Sequence, residues 1–370
     1  MKLDKYTKLL PKTGMGEQAA YDLLSHDIKV RSANLGSDIA LAHMDPPTPG
    51  IASKLVGLNA QFNQNLLHPD LSPFATDVER RLIEWLAPVW GMADGHMCGG
   101  STLANLTALW CARETGATRV VASVDAHLSV AKAAHILAME YQALPVDGHG
   151  RIELPKMADL SNTCLVLTAG TTGRGMVDPL GKTGALWTHV DAAWAGPLKL
   201  SKHASLLDGI EDADSISISA HKWFFQPKDS ALILFSDTES QDLVSFGGDY
   251  LAVPNIGVQG SRGAAAIPLL ATLLAWGQDG LAQRIEHGMD MAEHLADFLQ
   301  SHPKAELKQM PETGVVNWRP TVGSPEYVLR ELGESASSTK INGELWLRHV
   351  AANSHADVDL VSQRIERCLR

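Results

Sequence analysis

From about residue 100 onward, short apolar runs bounded by glycine and polar turns alternate with stretches whose apolar positions recur at helical spacing. The runs Val120–Val124, Cys164–Thr168, Trp187–Asp191, Ser215–Ser219 and Ala231–Phe235 predict strands, and Leu128–Glu140 between the first two predicts a helix. Such alternation reads as an α/β fold with a mostly parallel sheet. A helix-rich segment precedes it. Beyond about residue 281 the pattern changes to a long amphipathic helix (Leu281–Leu299), strands near Val315–Trp318 and Leu345–Val350, and a final helix Asp357–Leu369, which together predict a small C-terminal α+β domain. The expected organisation is an N-terminal arm over residues 1–50, a large domain over 51–280 and a small domain over 281–370.

The longest uncharged, mostly apolar run, Gly263 to Gly277, has 15 residues and contains Pro268. That is short of the ~20 needed to span a membrane, so it predicts a buried helix. The N-terminus carries lysines without the apolar stretch of a signal peptide. Lys+Arg 31 against Asp+Glu 42 gives a net charge of −11, without long acidic runs, which argues against nucleic acid or an anionic membrane as partner and for a small molecule. The four cysteines, Cys98, Cys111, Cys164 and Cys368, have no paired spacing. They predict neither a disulfide framework nor a cysteine zinc site, and suit a reducing cytoplasm.

Three phrases carry candidate chemistry. In HMCGGSTLANLTALW, Gly99-Gly100-Ser101-Thr102 leads into a helical run from Leu103, so backbone N–H groups and two hydroxyls collect where a phosphate binds well. Thr102 also reads simply as an N-cap. In SISISAHKWFF, the Ser215–Ser219 strand runs into His221 and Lys222. A lysine among apolar neighbours at a strand end is a candidate Schiff-base amine, or else an ordinary surface lysine. In WTHVDAAWAG, Asp191 ends a strand and is followed by Ala192 and Ala193, small enough to admit a flat ring. A buried carboxylate there needs a cationic partner such as a pyridinium nitrogen, unless it caps a helix. His189 and Asp191 share a strand face but have no third ligand near in sequence, so no metal is expected. Two further strands end suitably, one at Thr168 before a glycine-rich turn and one just before His127, whose imidazole can stack on an aromatic cofactor or serve structurally.

Taken together, these phrases resemble the group II pyridoxal-phosphate-dependent amino-acid decarboxylases, which have the type I, aspartate-aminotransferase fold. The resemblance starts near His43 and covers about 330 residues. It implies a large domain with a seven-stranded-type sheet, and pyridoxal 5'-phosphate as cofactor. It further implies that Lys222 carries the cofactor as a Schiff base, that Asp191 keeps the pyridine nitrogen protonated, and that His127 stacks on the ring. Ser101 and Thr102 would hold the phosphate with His221 near it, while Thr168 and Ala193 line the ring. Tyr250 in GGDYLAVPN, 28 residues after Lys222, aligns with a family tyrosine on a mobile loop that returns the proton across a homodimer interface. Arg348 in ELWLRHV aligns with an arginine that binds the substrate α-carboxylate. Leu103 stands where the family more often has an acid, and only 12 residues separate Tyr250 from Arg262. The implied reaction is decarboxylation of an L-amino acid to amine and CO2. Another reaction of the same cofactor, or a non-catalytic relative, is the alternative.

Overall fold

The computed structural model describes residues 9–154, 159–249 and 251–370. Residues 9–35 and 36–370 are separate compact units. The first carries helix α1 (Glu17–Arg31), which buries no residue and exposes Tyr21, Leu24 and Ile28 at one-face spacing.

The second unit begins with α2 (Gly50–Phe62) and α3 (Pro73–Leu86), then β1 (Asp94–Cys98), α4 (Ser101–Glu114), β2 (Arg119–Ser123), α5 (Leu128–Ile136) and β3 (Glu140–Leu144). There follow β4 (Thr163–Thr168), β5 (Trp187–Asp191), β6 (Ser215–Ser219) and β7 (Ala231–Phe235), with a short pair β8 (Ser245–Phe246) and β9 (Asn255–Ile256). The main sheet has seven strands in the order β1-β7-β6-β5-β4-β2-β3. β7 runs antiparallel to both its neighbours and the remaining pairs are parallel, so the sheet is mostly parallel as expected. Strands β4, β5, β6 and β7 are buried along their whole length, because helices cover both faces. Leu165, Leu167, Val190, Ile216 and Ile218 pack on the α3 side, and Val120, Ala122, Val166 and Ile233 pack under α4 and α5.

Three strands lie within the predicted bounds residue for residue: β5, β6 and β7. β1 and β3 were not visible in the pattern. β1 is the edge strand Asp-Gly-His-Met-Cys, with no alternating signal, and β3 keeps four of its five residues exposed. The helix expected over Leu128–Glu140 stops at Ile136, where Leu137 caps it and Ala138 takes a positive φ of 55°.

The chain then enters α6 (Ala266–Ser301), a long helix interrupted at Gly277, whose φ of 64° and ψ of −178° only glycine adopts readily. Its N-terminal part corrects the expectation of a buried helix. Leu274 is 68% exposed, and with Ile267 and Leu270 it lines an open apolar groove of about 520 Å3 against Leu55, Leu58 and Phe62 of α2. An uncharged run thus marks an apolar surface as well as a core. Further along, Leu281, Ile285 and Met289 join the main core, and Met291, Leu295 and Leu299 join a second core. That second core belongs to a four-stranded antiparallel sheet ordered β10-β11-β13-β12: β10 (Ala305–Leu307), β11 (Val315–Pro320), β12 (Ser337–Ile341) and β13 (Glu344–Val350). Helices α7 (Pro325–Leu332) and α8 (Val358–Leu369) complete it. Among the described residues, no helix is long and apolar enough to cross a membrane.

One ion pair ties α3 to the segment before α6. The Arg262 guanidinium donates to both Glu79 carboxylate oxygens, at 2.5 and 2.7 Å, and Glu79 Oε1 also accepts the Met97 N–H of β1 at 3.3 Å. Glu79 and Arg262 side chains are 9% and 19% exposed. Removing the cation strands a largely buried carboxylate. Arg262→Met is therefore expected to lower unfolding stability by about 2–4 kcal/mol in urea titration, with Glu79→Gln in the same chain restoring part of it. Equal midpoints for wild type and Arg262→Met would show that the pair carries no stability.

Candidate active site

In a parallel sheet, residues paired in register share a face. Thr168 pairs with Asp191 and Asp191 with Ser217, while one step inward Val166 pairs with His189 and His189 with Ser215. A polar row, Thr168–Asp191–Ser217, therefore crosses the sheet near its carboxyl edge, with His189 and Ser215 on the same face one step inward. In open α/β sheets that edge is where ligands bind.

Here it forms a cavity of about 260 Å3, near the ~300 Å3 lower end of small-molecule sites. Every cofactor residue expected from sequence lines it: Ser101, Thr102, His127, Thr168, Asp191, Ala193, His221 and Lys222. Each arrives for a local reason. Gly100, at φ 132°, turns the chain from β1 into α4, and a Cβ there would meet nothing, so glycine is required by the backbone and not by space. Gly100 is the N-cap, so Thr102 is not. Ser101 and Thr102 open the helix, ahead of the first intrahelical acceptor, and their N–H groups are free donors at its positive end. Ser101 Oγ and Ser219 Oγ are 2.7 Å apart, which holds the α4 start against β6.

Asp191 is 3% exposed. Its carboxylate accepts from Asn105 Nδ2 at 2.9 Å and the Ala193 N–H at 3.1 Å; Ser217 Oγ lies 3.4 Å away and is closer to Asn105 Oδ1, at 2.6 Å. Lys222 lies in the turn after β6. Trp223, Phe224 and Phe225 behind it are buried to 2% exposure or less, Phe225 adopts a φ of 60°, and the Trp223 ring packs 4.1 Å from Trp194. This aromatic anchor fixes the turn. Burial pulls the Lys222 ammonium below the usual lysine range, with the Asp191 charge opposing the shift, so the free amine is more accessible than in an ordinary lysine. His127 caps the N-terminus of α5, and burial lowers its pKa. His221 Nδ1 donates to the Ser230 carbonyl at 3.1 Å, and burial followed by the Lys228 charge lowers its pKa to about 4.

Arg348 is not among the cavity-lining residues, but its guanidinium donates to the carbonyls of Thr172 at 2.9 Å and Ala42 at 3.3 Å, and Thr172 is one of them. Its buried Nε has no acceptor. Tyr250 lies outside the described residues. Sequence reasoning missed Gly170, Thr172 and Trp194, which line the cavity from loops, and Gln259, whose Oε1 accepts the Gly99 N–H at 2.6 Å across 160 positions of chain. It also missed Asn105. The signal for Asn105 was present: a polar residue on the otherwise apolar face of α4.

The type I fold and a lysine–aspartate–histidine cavity at the carboxyl edge of its sheet define a class, the pyridoxal-phosphate enzymes. Within it, residues 47–320 match the pyridoxal-dependent decarboxylase conserved domain, and the chain belongs to that family. It is 32% identical over 352 residues to an L-2,4-diaminobutyrate decarboxylase of Rhizobium meliloti (strain 1021), covering 84% of this chain and 70% of that protein. It is 26% identical over 389 residues to an aromatic-L-amino-acid decarboxylase of Bacillus atrophaeus, covering 92% and 78%. Among solved structures, the glutamate decarboxylase domain of a diaminobutyrate-pyruvate transaminase and L-2,4-diaminobutyrate decarboxylase from Vibrio parahaemolyticus superposes with a TM-score of 0.86 at 21% identity, over 97% of this chain and 87% of that one. The protein is a pyridoxal-phosphate-dependent amino-acid decarboxylase.

The donor set fits that cofactor. Thr168 Oγ1 is buried without a partner, a helix N-terminus offers free N–H groups, and an amine and a carboxylate line the same cavity. For pH dependence, the sign follows from His221. Its folded value of about 4 lies below the ordinary ~6.5, so the stability due to its neutral ring is fully present above ~6.5 and is lost as pH falls toward 4. His221→Gln should therefore lose less stability than wild type between pH 7 and 4.5, read as urea midpoints of the apoprotein. Parallel losses in the two proteins would count against a neutral His221.

Proposed function

We propose that Lys222 Nζ is the amine that binds the cofactor's aldehyde carbon and that Asp191 holds the proton on its ring nitrogen. The observation that carries this reading is the convergence of Lys222, Asp191, His127 and the α4 N-terminus on one cavity. Ser101 and Thr102, through hydroxyls and backbone N–H groups, would hold the phosphate with His221 beside it, as helix N-termini hold anions. Thr168, Ala193 and the His127 imidazole would pack on the ring. Bound there, pyridoxal 5'-phosphate supplies a protonated, conjugated ring that accepts the electron pair left at Cα when the carboxylate leaves as CO2.

The chain's own groups decide which bond breaks. Arg348, which bonds the cavity-lining Thr172, would orient the substrate α-carboxylate. Trp194, which lines the cavity, would help keep water from the reacting carbon. Tyr250 would return a proton to Cα. Residues 51–280 would carry the cofactor, residues 281–370 the arginine, and residues 1–50 an arm. The four free cysteines suit a cytoplasmic enzyme.

Borohydride reduction of the holoprotein, followed by peptide mapping, should place the cofactor on Lys222, and Lys222→Ala should abolish both the adduct and nearly all amine and CO2 release. The substrate panel should include 2,4-diaminobutyrate, aspartate and aromatic amino acids. Cofactor trapped on a different lysine would overturn the assignment, as would release of aldehyde in place of amine for the reaction.

We also infer a homodimer with Tyr250 reaching the neighbouring site. The reading is supported by two exposed apolar surfaces, the groove between α2 and α6 and the Tyr21–Leu24–Ile28 face of α1. Light scattering should give twice the chain mass. Lys222→Ala and Tyr250→Phe chains, each inactive alone, should recover about a quarter to a half of the wild-type activity when mixed, since each hybrid has one site with both residues intact. A monomer, or no recovery on mixing, would remove the shared site.

A further inference from the structure

Behind the cavity wall, buried polar side chains form one connected path whose hydrogen-bond directions are set by chemistry. Trp187 Nε1 can only donate, and does so to Ser215 Oγ at 2.9 Å. The Ser215 hydroxyl proton is then directed to His189 Nδ1 at 2.9 Å, which leaves the His189 proton on Nε2, donated to Asn105 Oδ1 at 3.0 Å. Asn105 Oδ1 also accepts from Ser217 Oγ at 2.6 Å. With its oxygen doubly occupied, the amide sends its two Nδ2 protons to Asp191 Oδ2 and Ser129 Oγ, each at 2.9 Å. The reversed amide would press its oxygen against the Asp191 carboxylate, so the orientation is determined. The other His189 tautomer, donating from Nδ1 to the Ser215 carbonyl at 3.2 Å, would turn a bare Nε2 onto Asn105 Oδ1 and is excluded for the same reason. Ser129 Oγ, having accepted one proton, passes its own to His127 Nδ1 at 2.8 Å, where the Ser129 N–H also arrives at 3.2 Å. Two donors on Nδ1 leave the His127 proton on Nε2.

We propose that Asn105 is a positioning residue for decarboxylation: one fully engaged amide holds Asp191 in place and, through Ser129, sets His127 as its Nε2–H tautomer. Asn105 is 0% exposed, so it acts through these partners and not by touching substrate. The inference rests on the reading of Asp191 and His127 as cofactor-binding residues. Charged and titratable groups facing this pair are Lys222, Lys132 and His189. Because Asn105 spans both, its loss should reach the two sides of the ring together. A packing residue would affect neither the tautomer nor the spectrum.

The test uses the full chain in two forms. In the apoprotein, 15N histidine NMR should show His127 with a bare Nδ1 and a protonated Nε2, and Asn105→Leu should convert this to a mixture of tautomers. In the holoprotein, Asn105→Leu should lower kcat by about 10–100-fold, the usual effect of removing an outer hydrogen-bonding partner, with KM within about threefold. It should also move the pH midpoint of the bound cofactor's visible absorption. Asn105→Asp, which keeps the shape but loses both donors, should move that midpoint further. A wild-type His127 protonated on Nδ1 overturns the proposal, as does a folded Asn105→Leu with unchanged tautomer, midpoint and kcat. If Asn105→Leu does not fold, Ser129→Ala carries the test. It removes the hydroxyl donor to His127 alone, and an unchanged tautomer there overturns the proposal equally. The apoprotein readout needs no cofactor, so failure of the Lys222 assignment, seen as trapping on another lysine, is distinguishable from failure of this one.

Discussion

A carboxylate placed at 3% exposure is the constraint around which this molecule is arranged. An uncompensated charge there would cost several kcal/mol or neutralise itself. Asp191 avoids both by collecting donors from two separate segments, the side chain of Asn105 on α4 and the N–H of Ala193 in its own turn, while Ser217 on the next strand holds Asn105 by donating to its Oδ1. Meeting that demand forces α4 to lie over β5 and β6 at one height, and so places the helix N-terminus beside Ser219 and the turn bearing Lys222. The helix N-terminus and the buried carboxylate then line one small cavity.

The sheet supplies the rigidity this requires. Parallel strands buried on both faces make few compromises with solvent, and their register lines Thr168, Asp191 and Ser217 in one row. Loops that complete the cavity are held by buried groups more than by local propensity. Trp194 Nε1 donates to the Thr313 carbonyl at 2.7 Å, and Thr313 Oγ1 to the Gly175 carbonyl at 2.5 Å, so the segment leading into the second sheet supports the glycine-rich turn after β4. Arg348 reaches Thr172 from β13 in the same way. The second sheet thus bears on the cavity through a few directed contacts. α6 joins both cores in one helix: residues on either side of its break at Gly277 belong to the main core, and from Met291 onward they belong to the second.

How far the sequence speaks depends on the range of the interaction. β5, β6 and β7 were legible because full burial writes uniform apolar or period-two patterns, and the residues at their ends, Asp191, Lys222 and Thr168, could be named before any contact was known. β1 and β3 were not, since an edge strand with mixed or exposed side chains has no pattern to write; its pairing with neighbours is what makes it a strand. The run from Gly263 to Gly277 shows the complementary limit. Its lack of charge revealed an apolar helix, but whether Leu274 faced a core or the surface depended on where α2 came to rest.

By itself, then, the amino-acid sequence determined the fold class, the positions of the central strands along the chain and the lysine, aspartate and histidine near their ends, because those follow from local periodicity and from chemistry carried on short phrases. Only the tertiary structure decided that Asn105, 86 positions from Asp191, would complete its hydrogen bonds, that Gln259 would cap the turn at Gly99, and that the His127 proton would lie on Nε2. The physical reason is that a hydrogen bond has a direction and a length of about 3 Å, and neither is expressed in a chain until distant segments are brought within that reach.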